Sequence, residues 1–216
     1  MPRSLRINCP DIPYHIIVRG NNREPIFLDR SCYERFLNLL SGYKPVYEYK
    51  IYAYCLMPNH LHLLLESSSK ATISKIMQVL NTSYTVYFNN RYGRVGHVIQ
   101  GRFKSILVER EAYLLVLSRY IHLNPIRAKI VERPEDYCWS SYRIYLGRGK
   151  SDLLSKEEIL GFLTDESNEQ VELYKNFVEE GIKESASSLV ELTLSKHQTF
   201  LGSDRFVQDV CKTLRS

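Results

Sequence analysis

The sequence lacks the features that mark several large classes of protein. Its five cysteines form no CxxC pair and lie far apart, at Cys9, Cys32, Cys55, Cys138 and Cys211. This pattern argues against a disulfide scaffold and against a cysteine zinc site. No apolar run approaches the roughly 20 residues of a membrane-spanning helix, and the amino-terminal segment has no apolar core like that of a signal peptide. There is also no ATP-binding motif and no internal repeat. We therefore expect a reduced, cytoplasmic globular protein.

Charge is unevenly distributed along the chain. Residues 1–150 contain 22 Lys and Arg against 11 Asp and Glu, a net charge of +11, whereas residues 151–216 contain 7 against 13, a net charge of −6. Most of the sixteen tyrosines precede residue 150. Basic residues interleaved with aromatic ones suit single-stranded nucleic acid, because cations pair with phosphates while bases stack on rings. A tyrosine-rich core beneath a solvated basic surface explains the same composition equally well.

The residue patterns of the first 148 residues predict an α+β fold. Strands are predicted at 14–20, 49–57, 60–66 and 105–109. Asp29 and Thr72 are predicted to cap two helices, the first ending at the segment SGYKP (41–45). A third helix is predicted from about Ala112 to Leu123, with a shorter one after Pro125. This order of elements fits a split βαβ arrangement, an antiparallel sheet with helices on one face.

Residues 149–216 have a different character. Helical periodicity recurs at 156–163, 171–182 and 205–214, and polar stretches separate the three segments. We therefore predict a domain at 1–148 and an acidic helical carboxy-terminal extension at 149–216, joined by a flexible connection.

Two histidines stand one residue apart in the predicted strand HLHLLLE (60–66). Side chains alternate between the faces of a strand, so His60 and His62 project on the same side. Two imidazoles so placed can bind one divalent cation. The pair alone is a weak signal, because two solvent-facing histidines on a half-exposed sheet give the same pattern.

The segment SRYIHLNPIRA (118–128) contains groups that could complete such a site. Tyr120 and Asn124 are four residues apart, so on a helix they share a face. Asn124 could then supply a third metal ligand, and Tyr120 could point at whatever the metal polarises. Pro125 offers a competing explanation, because a proline suits the first position of a helix and would make Asn124 an N-cap. The two roles are compatible if the cap faces the sheet.

Five motifs in order carry a resemblance to a known family over residues 12 to about 146. They are YHIIVRGNNREPIF, YCLMPNHLHLLLE, GHVIQGRFKSILVE, YLLVLSRYIHLNPIRAKIV and PEDYCWSSYRIY. The chain resembles the single-tyrosine transposases with a His-hydrophobic-His motif, in particular the REP-associated tyrosine transposases. The resemblance implies a ferredoxin-like fold, metal ligands at His60, His62 and Asn124, and a catalytic nucleophile at Tyr120.

The resemblance also implies an activity and its partners. It implies a metal-dependent single-stranded DNA endonuclease and strand transferase that cuts beside palindromic hairpins through a 5′-phosphotyrosine intermediate. The divalent metal would be Mg²⁺ or Mn²⁺, since the ligands include no thiolate. The partners would be single-stranded DNA hairpins like REP palindromes. The protein would be a cytoplasmic, nucleoid-associated monomer or homodimer with no membrane partner.

Four cations are candidates for DNA contacts: Arg102, Lys104, Arg119 and Arg127. Ordinary surface solvation or ion pairing accounts for each of them as well. Among the other residues, His15 is expected to pack in the core and His122 to be structural or to face DNA. Tyr113, seven residues before Tyr120, is an alternative nucleophile.

Two further functions are consistent with parts of the sequence. A non-catalytic protein that clamps DNA hairpins needs the fold but has no use for Tyr120 with His60 and His62. An RNA-binding protein that uses the aromatic surface of a four-stranded sheet would bind without metal and form no covalent adduct.

Overall fold

The computed structural model describes residues 7–149, 151–183 and 199–213. Five strands form the sheet: β1 Pro13–Arg19, β2 Lys50–Met57, β3 His60–Glu66, β4 Lys104–Val108 and β5 Phe200–Leu201. The helices in the described residues are α1 Arg30–Tyr47, α2 Ile73–Tyr92, α3 Arg110–Arg127, α4 Tyr142–Tyr145, α5 Lys156–Leu160, α6 Gln170–Lys183 and α7 Asp204–Thr213. In this part of the chain, no helix combines the length and the apolar character that crossing a bilayer requires.

The strands lie side by side in the order β2-β3-β1-β4-β5. The first four are antiparallel neighbours, so the predicted α+β class with a split βαβ, ferredoxin-like arrangement is confirmed. The fifth strand was not predicted: Phe200 and Leu201 pair in parallel with Leu107 and Val108 at the far edge. Two residues are too short a strand to show an alternating pattern.

The two faces of the sheet carry different side chains. On one face β1 places Tyr14, Ile16 and Val18, which are fully buried. On the other face His60 and His62 lie opposite Arg19 and Ile17 in the β1–β3 register. Helix α3 packs on β1, β2 and β3 and covers the histidine face, while α1 and α2 pack against each other.

Helix α1 begins where it was predicted to begin but ends later. The side chain of Asp29 accepts a hydrogen bond from the Cys32 amide, as an N-cap does. The predicted end at SGYKP is wrong, because the helix continues through Pro45 to Tyr47 and closes on Glu48 with a φ of 52°. Pro45 removes one backbone donor close to the end of the helix, and the side-chain packing of Tyr43 and Tyr47 outweighs that loss.

Helix α3 is continuous, which corrects two predictions. It runs through Pro125 to Arg127, so there is no separate shorter helix after the proline. Asn124 is therefore inside a helix and is not an N-cap. Its Nδ2 donates to the Tyr120 carbonyl four residues earlier, at 2.9 Å. That bond reinforces the backbone just before the place where Pro125 has no amide hydrogen to give.

The described part of the extension packs on the first 148 residues. Helix α5 contacts β2, and α6 contacts α3. The predicted flexible connection is wrong for residues 151–155, because the Ser155 amide donates to the Ile51 carbonyl at 2.8 Å and Lys44 donates to the Asp152 carbonyl at 2.6 Å. The division at residue 148 stays a prediction.

Candidate active site

Three histidines and one tyrosine meet between the sheet and α3. The ring of His62 lies 5.1 Å from the rings of both His15 and His60, measured between centroids. The ring of Tyr120, from α3, lies 6.0 Å from both His15 and His62. The fold thus brings together the histidine pair and the tyrosine that the sequence singled out.

The buried His62 is paired with His15. Nδ1 of His62 and Nε2 of His15 are 2.9 Å apart, which is a hydrogen bond with one ring donating. Both side chains are almost fully buried. This contact leaves Nε2 as the second nitrogen of His62. If that nitrogen coordinates a metal, Nδ1 carries the proton and donates it to His15.

The tautomer of His60 is set by its neighbour Asn59. The Nδ2 group of Asn59 donates to the Arg23 carbonyl at 3.1 Å, so its Oδ1 atom is the one that faces His60. That oxygen lies 2.7 Å from Nδ1 of His60 and can only accept, so Nδ1 carries the proton. His60, like His62, therefore has Nε2 as its remaining nitrogen.

All three imidazoles are held neutral. Burial lowers the pKa of His15 to about 3, helped by the nearby charge of Lys104. Burial also lowers the pKa of His60 to about 4, with Arg19 adding to the effect. The pKa of His62 is well below its ordinary value, again mainly because of burial. Neutral imidazole is the form that binds metal ions.

The third predicted ligand, Asn124, lies on the face of α3 that carries Tyr120. Because its Nδ2 donates to the Tyr120 carbonyl, Oδ1 is the atom left for coordination. The guanidinium of Arg127 lies 4.6 Å from the centroid of the Tyr120 ring. A cation over the face of an aromatic ring is attracted to it electrostatically, so this contact holds Arg127 against Tyr120.

These residues fit the donor set of a divalent metal that prefers nitrogen and oxygen. In the described part of the chain, no group of three His, Cys, Asp or Glu side chains is arranged to hold a metal. The candidate set is instead Nε2 of His60, Nε2 of His62 and Oδ1 of Asn124. In each of the three side chains the other polar atom is already hydrogen-bonded, which is the outer-shell support that metal ligands require.

The four cations that were predicted to contact DNA have different surroundings in the structure. Lys104 faces the site, because it is close enough to His15 to lower its pKa. Arg127 lies over Tyr120. Arg102 lines a cavity beside α2. Arg119 packs elsewhere, with its guanidinium 4.3 Å from the Phe177 ring on α6. A DNA contact by any of them stays a prediction.

Sequence reasoning missed two residues at the site. His15 is a packed, buried histidine as predicted, but its contact with His62 was not foreseen, and Arg19 was not considered. The signal was available in the strand patterns, since the i, i+2 alternation places His15 and Arg19 on one face of β1. What the sequence could not give was the pairing of β1 with β3 that puts Arg19 opposite His60.

The remaining candidates lie outside the site. His122 is fully buried and structural: its Nε2 lies 2.7 Å from Ser141 Oγ, and its Nδ1 lies 2.7 Å from the Tyr174 hydroxyl. Tyr113, the alternative nucleophile, is partly buried against the core near the start of α3.

Comparisons with known proteins point to one family. Residues 8–124 match the family described as "Transposase IS200 like". Among solved structures, the chain is similar to a REP-associated tyrosine transposase bound to a REP hairpin, with 17% identity, a TM-score of 0.57, and coverage of 71% of this chain and 90% of that one. A candidate transposase from Deinococcus radiodurans R1 matches at 15% identity and a TM-score of 0.39, with coverage of 63% and 96%. No protein of curated function matches.

Proposed function

This chain belongs to the IS200-like transposase family, and on that premise we propose that it cleaves and rejoins single-stranded DNA beside palindromic hairpins through a 5′-phosphotyrosine intermediate. The DNA partner is proposed by analogy with the hairpin-bound structure of similar fold. Tyr120 is the proposed nucleophile, and His60, His62 and Asn124 are the proposed ligands of Mg²⁺ or Mn²⁺.

One observation carries this proposal. The two motif histidines each have one nitrogen hydrogen-bonded by a neighbour and one nitrogen remaining, and the Tyr120 ring lies 6.0 Å from His62. Histidines that only stabilise a core have both nitrogens satisfied. A reacting phosphate between the metal ligands and the phenol would meet both groups at once.

The chemistry is the transfer of a DNA phosphoryl group from a 3′ oxygen to the phenolic oxygen of Tyr120. His60, His62 and Asn124 would hold Mg²⁺ or Mn²⁺, and the bound ion would supply positive charge that polarises and orients the scissile phosphate. The Tyr120 oxygen gives its proton to water, which returns one to the leaving 3′ oxygen, and attacks phosphorus to form the Tyr–O–P bond. The bond between phosphorus and the 3′ oxygen breaks, and that oxygen leaves as a 3′-hydroxyl after taking up a proton. The guanidinium of Arg127 lies over the Tyr120 ring, and Lys104 and Arg19, on the histidine face of the sheet, would attract the DNA phosphates. The phosphotyrosine bond keeps the energy needed for rejoining.

A covalent-adduct assay tests the proposal. The full chain is incubated with labelled single-stranded hairpin DNA and Mn²⁺, and the products are separated on a denaturing gel. We expect a protein–DNA band that disappears in Tyr120→Phe, in His62→Ala and in the presence of EDTA.

Tyr113→Phe is the matched control, because it removes a hydroxyl from the same helix and should leave the adduct intact. Loss of the adduct in Tyr113→Phe but not in Tyr120→Phe would assign the nucleophile to Tyr113. Tight binding with no adduct across many hairpins, including those that flank its own gene, would favour a non-catalytic hairpin-binding protein.

A further inference from the structure

The segment GNNREPIF, residues 20–27, follows β1 and has an unusual backbone. We call it the Gly20 loop. Asn22 and Arg23 have φ values of 51° and 61°, in the left-handed region. Asn tolerates that region, whereas a longer side chain such as Arg seldom adopts it. A rare backbone conformation persists where surrounding contacts require it, and it is common at functional sites. The contacts of the Arg23 backbone therefore indicate the role of the loop.

The Gly20 loop is hydrogen-bonded to the turn at residues 58 and 59, which joins β2 to β3. Backbone hydrogen bonds run from the Gly20 amide to the Asn59 carbonyl at 2.8 Å, and from the Ile26 and Phe27 amides to the Pro58 carbonyl at 2.8 and 3.0 Å. The side chain of Asn59 adds a further bond, because its Nδ2 donates to the Arg23 carbonyl at 3.1 Å. The loop and the turn thus form one bonded unit immediately before the candidate metal ligand His60.

The Arg23 carbonyl determines which end of the Asn59 amide faces His60. An amide turned by half a rotation would place Oδ1 against the Arg23 oxygen, and two acceptors cannot bond to each other. Nδ2 therefore faces Arg23, and Oδ1 lies 2.7 Å from Nδ1 of His60. The left-handed backbone at Arg23 determines where that carbonyl points. A residue 36 positions before Asn59 thus determines which nitrogen of His60 carries the proton.

The absence of a side chain at Gly20 allows the loop to close. A Cβ atom there would overlap the Glu24 carbonyl oxygen and would lie 2.9 Å from Cγ2 of Ile26. The obstacle at Glu24 is backbone, so it cannot rotate aside as the end of a side chain can. Any other residue at position 20 would therefore displace the loop and, with it, the Arg23 carbonyl.

From these contacts we propose that the Gly20 loop is a positioning element for the metal ligand His60. The Arg23 carbonyl orients Asn59, and Asn59 holds the proton of His60 on Nδ1, so that Nε2 is left for the metal. The inference deepens the proposed function and rests on it, since the metal site belongs to that function. Gly20, Arg23 and Asn59 act through His60, so they are positioning residues and not catalytic ones.

The test measures the tautomer of His60 without metal. Nitrogen NMR of the His60 ring in the full chain at neutral pH should show the Nδ1–H form in the wild type. Asn59→Leu removes both hydrogen bonds of the Asn59 side chain at nearly constant size, and Gly20→Ala displaces the loop while Asn59 is kept. We expect each variant to show a mixture of tautomers. We also expect each to bind Mn²⁺ about tenfold more weakly in calorimetric titration, as on loss of an outer-shell partner.

Asn59→Asp tests the reason for the effect. A carboxylate has two equivalent oxygens, so either can accept from His60 and no carbonyl is needed to choose between them. The Nδ1–H tautomer should therefore persist in Asn59→Asp, and it should also persist when Gly20→Ala is added. Loss of that tautomer in the double variant would overturn the role of the Arg23 carbonyl, because the displaced loop would then act on His60 by another route.

Gly42→Ala is the matched control. It adds the same methyl group to α1, where no more distant residue of the described chain lies within 4 Å, and it should leave the tautomer and the Mn²⁺ affinity unchanged. If urea unfolding shows that Gly20→Ala does not fold, Asn59→Leu decides the proposal, because position 59 is partly exposed. A pure Nδ1–H tautomer in Asn59→Leu would overturn it. A wild type that binds no Mn²⁺ would overturn the proposed metal site, whereas the tautomers, measured without metal, decide the positioning role separately.

Discussion

Two histidine clusters contact α3 two residues apart, one at Tyr120 and the other at His122, and their hydrogen bonds differ. In the first cluster, His60 and His62 each have Nδ1 hydrogen-bonded and Nε2 remaining, and they face Tyr120. In the second, His122 has both nitrogens hydrogen-bonded, one to Ser141 and one to Tyr174. The pKa of each histidine is lowered by burial.

The difference is in the hydrogen bonds and not in the residue type or the pKa. His122 joins α3 to α6 through Tyr174, whose hydroxyl also lies 2.8 Å from Ser118 Oγ. Its interactions are complete, so it contributes to stability alone. In the first cluster the hydrogen bonds are made by Nδ1 of His60 and Nδ1 of His62, so Nε2 of both rings is left for a ligand, as a metal site requires. A lowered pKa alone would not separate the two clusters.

The largest effect is expected from His122→Ala. The substitution opens a cavity and removes the partner shared by two hydroxyls, so the free energy of unfolding should fall by about 3 kcal/mol. Urea unfolding measures this loss. At a temperature where His122→Ala is folded, we expect it to bind Mn²⁺ with the same affinity as the wild type, as measured by calorimetric titration. If His122→Ala loses Mn²⁺ binding while stability is unchanged, the distinction between the clusters is wrong.

A second effect concerns His15, which we expect to orient His62 without binding the metal itself. His15→Leu removes the hydrogen-bond partner of His62 Nδ1, which acts as acceptor when Nε2 of His62 binds the metal. Loss of such an outer-shell partner typically weakens metal binding by about 10- to 100-fold. Calorimetric titration of the full chain with Mn²⁺ measures the change.

His15→Gln tests the reason for that effect. The Gln amide keeps an oxygen that can accept, so it should restore part of the affinity. In the metal-free protein, nitrogen NMR of the His62 ring should show the Nδ1–H tautomer in the wild type and a mixture in His15→Leu. Equal Mn²⁺ affinities for His15→Leu and the wild type would mean that His15 is only a core residue.

The pH dependence of stability should be the third effect in size. The pKa of His122 is about 3 in the folded protein because the side chain is buried, and near 6.5 in an unfolded chain. The unfolded state therefore binds the proton first as pH falls, and stability that is present above pH 6.5 is lost progressively down to about pH 3. One such group costs about 1 kcal/mol between pH 6.5 and 5.5, and about 1.4 kcal/mol for each further pH unit down to about pH 4. In His122→Gln the free energy of unfolding should fall less as the pH is lowered, as measured by urea unfolding at a series of pH values. An identical pH dependence in both proteins would show that His122 does not contribute to it.

Much of this fold could be predicted from local patterns. Alternation gave four strands to within one residue at each end, and caps gave the starts of α1 and α2. The same alternation placed His60 and His62 on one face, and the four-residue spacing placed Tyr120 and Asn124 together. These features depend only on neighbours in the chain, so the sequence contains them directly.

The errors came from interactions between distant residues. Pro45 and Pro125 were taken as boundaries, but packing carries each helix past its proline. His15 is packed in the core as predicted, but its contact with His62, 47 positions away, was missed. The strand at 200–201 exists only through its pairing with β4. Tertiary contacts override local preferences in each case.

The smallest effect is expected at a third, partly exposed cluster, which fixes the extension through ion pairs and contains no histidine. Glu158 of α5 pairs with Lys50 at 2.6 Å and with Arg110 at 2.5 Å, while the buried Glu66 also pairs with Arg110. Because the Glu158 side chain is 35% exposed, solvent screens these pairs. Glu158→Gln should lower the free energy of unfolding by about 0.5 to 1 kcal/mol.

The salt dependence of the lost unfolding free energy distinguishes this cluster from the His122 cluster. The cost of Glu158→Gln should shrink in 1 M NaCl, since ions screen exposed pairs, whereas the cost of His122→Ala should not change. Glu172→Gln, an exposed carboxylate on α6, is the control and should cost nothing measurable. A cost of Glu158→Gln that does not depend on salt would mean that Glu158 acts by packing. Packing, and not charge, would then hold the acidic extension on the first 148 residues at both the Glu158 cluster and the His122 cluster. The charge of the extension would be available for other partners.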